Sequence, residues 1–245
     1  MNAPFPNPPA PSTRQPVLNL PGVVTALLVV LVAIHGIRTL LLGPEADVRI
    51  LLEFAFFPIR ITQPETFVGM ASEGARIWSF VTYALLHGDW MHLIFNGVWL
   101  AAFGSPLARR LGVSRFLAFS AIGALAGAGL HLAIYPNSIV PMVGASAAIS
   151  AQMAGAARFV FQSGGPMWGR AGPQAYQRPA APLGEAFRDR RVLAFLGVWF
   201  VINLIFGLTD GAGLAEGAVA WDAHIGGFLA GLLLFPLFDP VPRAR

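Results

Sequence analysis

Six apolar runs dominate this chain, at about 18–43, 90–108, 113–134, 144–161, 192–209 and 220–238. A helix crossing the ~30 Å hydrocarbon layer of a bilayer needs roughly 17 to 25 such residues. In lipid every backbone N–H and C=O has to be satisfied within the chain, so runs of this kind fold as helices. The expected fold is therefore an all-α membrane protein, a six-transmembrane-helix bundle in a single domain over 18–238. Composition agrees: 56% of residues are hydrophobic and only 11% charged, too apolar a balance for an ordinary soluble domain. The Pro-rich segment 1–17 lacks a helical period and reads as a disordered tail rather than a signal or transit peptide, and 239–245 reads as a short second tail. The stretch 162–191 carries Gly164, Gly165, Pro166, Gly169, Pro173, Pro179 and Pro182 and reads as a flexible connection.

The chain has no Cys, which removes disulfides, thiolate metal sites and cysteine nucleophiles. Neither a metal nor another cofactor is expected. All 16 basic residues are Arg, and their distribution assigns the high pI to topology rather than to nucleic acid. If the N-terminus lies inside, the inner segments collect Arg14, Arg109, Arg110, Arg115, Arg158, Arg170, Arg178, Arg188, Arg190, Arg191, Arg243 and Arg245. The outer segments keep only Arg49, Arg60 and Arg76, alongside most of the acids. Arginine-rich loops stay cytoplasmic, so both termini are expected there, with the basic segments facing anionic lipid. With no transit segment visible, a bacterial plasma (inner) membrane is the expected location.

Three polar clusters interrupt the apolar runs: His87-x4-His92-x3-Asn96, Gly144-Ala145-Ser146, and Ala223-His224-Ile225-Gly226-Gly227. Ionisable and nucleophilic groups inside a membrane span are costly and are functional candidates by default. The topology places all three near the outer ends of runs two, four and six, at one depth, which favours one shared site. His92 and Asn96 are four apart and share a helix face, with Asp89 as the N-cap of their helix and His87 in the loop before it. Gly227 and Gly231 follow His224 on nearly its own face, and small residues there allow close backbone approach to the run carrying Ser146. Close approach would bring Ser146 Oγ within about 2.6–3.2 Å of a His224 ring nitrogen, the distance at which an imidazole can take the hydroxyl proton. Asp222 is two residues from His224, about 200° around a helix, and so points away from it.

These motifs, in this order and spacing over about 76–238, resemble the rhomboid intramembrane serine proteases. The resemblance implies a rhomboid-like bundle in which Ser146 is the nucleophile and His224 its base. His92, Asn96 and the Ser146 N–H would form the oxyanion hole, while His87 and Gly144 line the cavity. It implies hydrolysis of peptide bonds in or beside the transmembrane helices of substrate proteins, with the bilayer as the other partner. The sequence departs from the family at Ala147, where glycine is usual, at Ser150, where an aromatic usually lies beneath the base, and around Gly104-Ser105-Pro106, where an acid is usual. With the aromatic replaced, Trp221 or Ser150 is expected to orient the base. An inactive relative that binds transmembrane clients, and a transporter using His and Asn, are the competing readings. Of the remaining polar groups, His35 and Arg38 are expected to snorkel, His131 to face loop water, Asn203 to bond between helices and Gly123-x3-Gly127 to form a packing face. The apolar part of the outer loop 44–76 is expected to lie partly in the interface, as a packing strut in the first place and a substrate gate in the second.

Overall fold

A computed structural model describes residues 19–167, 172–211 and 220–242. The tail expected over 1–17 lies outside these. Helix α1 (Gly22–Gly36) continues through a widened turn to Leu41. The connection from α1 to the next long helix holds α2 (Pro44–Phe54), α3 (Pro58–Thr62) and α4 (Ala75–Thr82). Helix α5 (Trp90–Trp99) passes through a second widened turn, Leu100–Gly104, into α6 (Ser105–Leu111). Pro106 accounts for that turn: it has no N–H to give the carbonyl four residues back and its ring crowds that carbonyl, so the helix opens upstream. Then follow α7 (Val113–Ile134), α8 (Ser146–Val160), the short α9 (Leu183–Ala186), α10 (Arg190–Gly211) and α11 (Trp221–Phe238).

Among the described residues, four helical stretches are long and apolar enough to cross a membrane: Gly22–Leu41, Trp90–Leu111, Val113–Ile134 and Trp221–Phe238. The fourth expected run differs in kind. Helix α8 has 15 residues, about 22 Å at 1.5 Å per residue, and every residue from Ala147 to Val160 is buried. It is a core helix enclosed by the others. The residues ahead of Ser146 are non-helical, and such backbone at membrane depth is tolerated only where protein satisfies it. Here Met142 exchanges two backbone hydrogen bonds with Phe56, and Gly144 N–H donates to the Tyr83 carbonyl at 3.0 Å.

Glycine and alanine bring α7, α8 and α11 together. A methyl group added at Gly123 or Gly127 of α7 would lie 2.5 Å from the Cβ of Ala151 or Ala147. One added at Gly227 or Gly231 of α11 would overlap the backbone of Ala147 or Ala151. Between apolar helices in lipid, contact area at this range replaces the hydrophobic drive that water would supply. The loop over 44–76 packs on the protein: Ala55, Phe56 and Phe57 are buried, and the Arg60 guanidinium stacks on Phe57 and Phe67 while donating to the carbonyls of Leu52, Ala55 and Ala75. At the opposite end Arg110 forms a two-pronged ion pair with Asp239 at 2.8 Å and donates to the carbonyls of Tyr176 and Arg178. The expected flexible connection is thus held down over part of its length.

Candidate active site

The N-terminus of α5 is built as the spacing requires. Asp89 Oδ1 accepts from His92 N–H at 2.8 Å, closing the first turn and setting the depth at which the His92 ring emerges. One turn on, Asn96 is buried and donates from Nδ2 to the His92 carbonyl at 2.9 Å, which leaves the second hydrogen of its amide. His87, in the loop before the cap, is fully buried with its ring 5.1 Å from that of His92. Burial first, then the neighbouring His92, His35 and Arg38, push the His87 imidazole down to about 3, so it is neutral at physiological pH.

Facing this ring pair is the start of α8. Gly144 has φ +119°, and a Cβ there would lie 2.6 Å from His92 Nε2 and 3.7 Å from Ser146 Oγ. Any side chain would be both strained and in collision, so glycine is required. Ser146 is the first residue of α8 and is half-buried. Its N–H is one of the four that a helix start leaves without an intrahelical acceptor, at the positive end of the helix dipole. His92, Gly144 and Ser146 therefore share one small volume, with Asn96 a turn below.

His224 arrives on α11, three residues before the Gly227 that seats on Ala147. No hydrogen bond joins it to Ser146 among the described residues. Its Nδ1 instead meets Asn203 Oδ1 of α10 at 2.7 Å. Asn203 does bond between helices, as expected, but with His224 as its partner. Neither Trp221 nor Ser150 has a hydrogen bond to the ring among the described residues. Asp222 turns away from His224, and its Oδ2 lies 2.7 Å from His131 Nδ1 in a buried pair between α7 and α11.

Two expectations for isolated polar groups are corrected. His131 does not face loop water, since Asp222, 91 residues away, claims it. His35 and Arg38 do not snorkel: both are buried, Arg38 paired with Asp47 at 2.7 Å and donating to the His87 carbonyl at 3.0 Å. His35 packs edge-on against Trp90, ring centroids 4.7 Å apart. Arg38 thus ties α1 to the loop that carries His87.

A family model described as "Rhomboid domain" matches residues 74–239. The chain belongs to the rhomboid family. It is 27% identical over 164 residues to the rhomboid protease GlpG of Yersinia pestis (strain Pestoides F), covering 67% of this chain and 49% of that protein. The rhomboid protease GlpG of Pectobacterium atrosepticum is 25% identical over 171 residues, covering 69% of this chain and 52% of that one. The chain spans about half the length of the curated relatives it matches. Together with the apolar helices, these bacterial relatives support a multi-pass protein of a bacterial inner membrane.

Proposed function

We propose that this rhomboid is an intramembrane serine endopeptidase that cleaves peptide bonds in or next to the transmembrane helices of membrane-protein substrates. The observation that carries the proposal is the seating of Gly227 on Ala147. It sets the helix turn bearing His224 beside the residue that follows Ser146, with His92 and Asn96 on the other side. Ser146 Oγ attacks the scissile carbonyl carbon as its proton passes to His224. The carbonyl oxygen becomes an oxyanion facing His92, the free amide hydrogen of Asn96 and the Ser146 N–H. Each such fixed donor is worth about 2.7–4 kcal/mol in a serine hydrolase. The C–N bond then breaks, His224 returns the proton to the leaving amine, and water repeats the sequence on the acyl-enzyme.

The short α8 supports a site below the membrane surface: about 22 Å of helix against ~30 Å of hydrocarbon leaves Ser146 submerged while Asp89 and His87 hold a polar path above it. In this reading α8 and α10 complete a six-span topology with both termini cytoplasmic. The test is cleavage of a transmembrane reporter in proteoliposomes, with fluorophosphonate labelling in parallel. Wild type is expected to cut and to be labelled at Ser146, and Ser146→Ala and His224→Ala to lose at least about a thousand-fold in kcat. Equal cleavage by all three would overturn the proposal.

A further inference from the structure

Asn203 Nδ2 donates to the Trp199 carbonyl at 2.8 Å within α10. A carbonyl can only accept, so the reverse orientation of the amide would set two oxygens against each other. The amide oxygen therefore faces His224, and an amide oxygen also only accepts. It follows that the hydrogen of the neutral His224 ring is on Nδ1, and the lone pair is on Nε2. Trp199 also stacks on Phe228, centroids 4.5 Å apart and planes 24° apart. Trp199 and Asn203 are one turn apart on α10, as His224 and Phe228 are on α11, so the stack holds the two helices in register beside the hydrogen bond that meets the imidazole.

We propose, building on the proteolytic reading above, that Asn203 is a positioning residue for the His224 base, holding the ring in the Nδ1–H tautomer with Nε2 presented to Ser146. When Nε2 takes the serine proton, the ring becomes an imidazolium whose Nδ1–H still points at the Asn203 oxygen. The amide dipole stabilises that charge without burying a second ion, which an acid at this place would require. The titratable groups that act on His224 are His92 on α5 and Asp222 on α11, and Asp222 is already engaged by His131. Among the described residues, no other side chain has a hydrogen bond to the His224 ring.

The experiment uses the full chain in detergent micelles and proteoliposomes, with Asn203→Leu and Asn203→Ala, each first checked for thermal unfolding. In the folded variants kcat on a transmembrane reporter is expected to fall roughly ten- to hundred-fold, the scale of a misplaced reacting group, while KM stays within about twofold. Histidine-¹⁵N NMR supplies a readout that a merely structural role would not move. The His224 signal, identified by its loss in His224→Ala, is expected to show Nδ1–H in wild type and a shift toward Nε2–H or a mixture in both variants. Unchanged kcat in a folded variant, or an Nδ1–H tautomer that persists without Asn203, would overturn the proposal. The two readings fail separately: a wild type that neither cuts nor labels sinks the protease, whereas the tautomer signal decides Asn203 on its own.

Discussion

Two flanks of α11 are held in opposite ways. On one flank it meets α7 and α8 backbone to backbone: a Cβ at Gly226 would lie 2.6 Å from the Ala126 carbonyl oxygen, and one at Gly227 would overlap Ala147. The polar contact on that flank is the buried His131–Asp222 pair. On the other flank, among the described residues, α10 touches α11 far less, and Val198, Phe200, Val201, Ile202, Leu204 and Ile205 of α10 are exposed. The polar contact there is His224–Asn203, of the same 2.7 Å length. Only the second contact joins a half-buried ring, His224, to a partner on the loosely packed α10, the buried Asn203. Identical distances thus sit in different settings: one closes the bundle, and the other holds the ring that the proposed mechanism uses as its base.

The two flanks differ most at the glycines. Gly227→Val drives a branched side chain into the Ala147 backbone, which cannot move without moving Ser146. Stability is expected to drop by about 3 kcal/mol or more, the upper end for overpacking, with loss of a cooperative unfolding transition in detergent. Val198→Ala on the exposed face of α10 serves as the contrast and is expected to stay within about 0.5 kcal/mol. Comparable losses in both would mean that α10 is packed as tightly as α7 and α8.

Comparable in size is the effect at the closed-flank polar pair. His131→Ala leaves Asp222 buried without a partner, and breaking such a pair by removing one member costs about 3–5 kcal/mol. Thermal unfolding should report most of that, while kcat of the folded protein stays within about threefold, because Asp222 does not touch His224. A hundred-fold fall in kcat at intact stability would instead place Asp222 in the catalytic relay.

What the sequence made legible follows from how far its signals reach. Spacing by four placed His92 and Asn96 on one face, and Asp89 was readable as a cap, because the partners lie within one turn. The glycine ladder of α11 was legible for the same reason. Contacts between distant segments were not: nothing near His131 announces Asp222, and nothing near Arg38 announces Asp47 or the His87 carbonyl. The shortness of α8 was hidden because Gly144 and Ala145 continue the apolar pattern while the backbone has already left the helix, a change carried by one positive φ. For Asn203 the sequence does carry a signal, its depth. In the expected topology run five crosses in the direction opposite to run six, so Asn203, six residues from the outer end of run five, falls near the depth of His224. Asn203 thereby shares the depth expected of the three polar clusters.

The smallest effect sharpens the open flank. Trp199 is half-buried and its ring stacks on Phe228, so Trp199→Leu removes an aromatic pair worth about 0.5–1.5 kcal/mol while leaving the backbone carbonyl that fixes Asn203. Stability is expected to fall by about that amount, and kcat by only a few-fold, since the His224–Asn203 contact survives with a looser clamp. If Trp199→Leu lowers kcat as far as Asn203→Leu does, the stack rather than the amide sets the ring, and the flank works by packing after all. If the two differ by ten-fold or more, hydrogen-bond direction outweighs packing there, which is what a helix held by so few contacts requires.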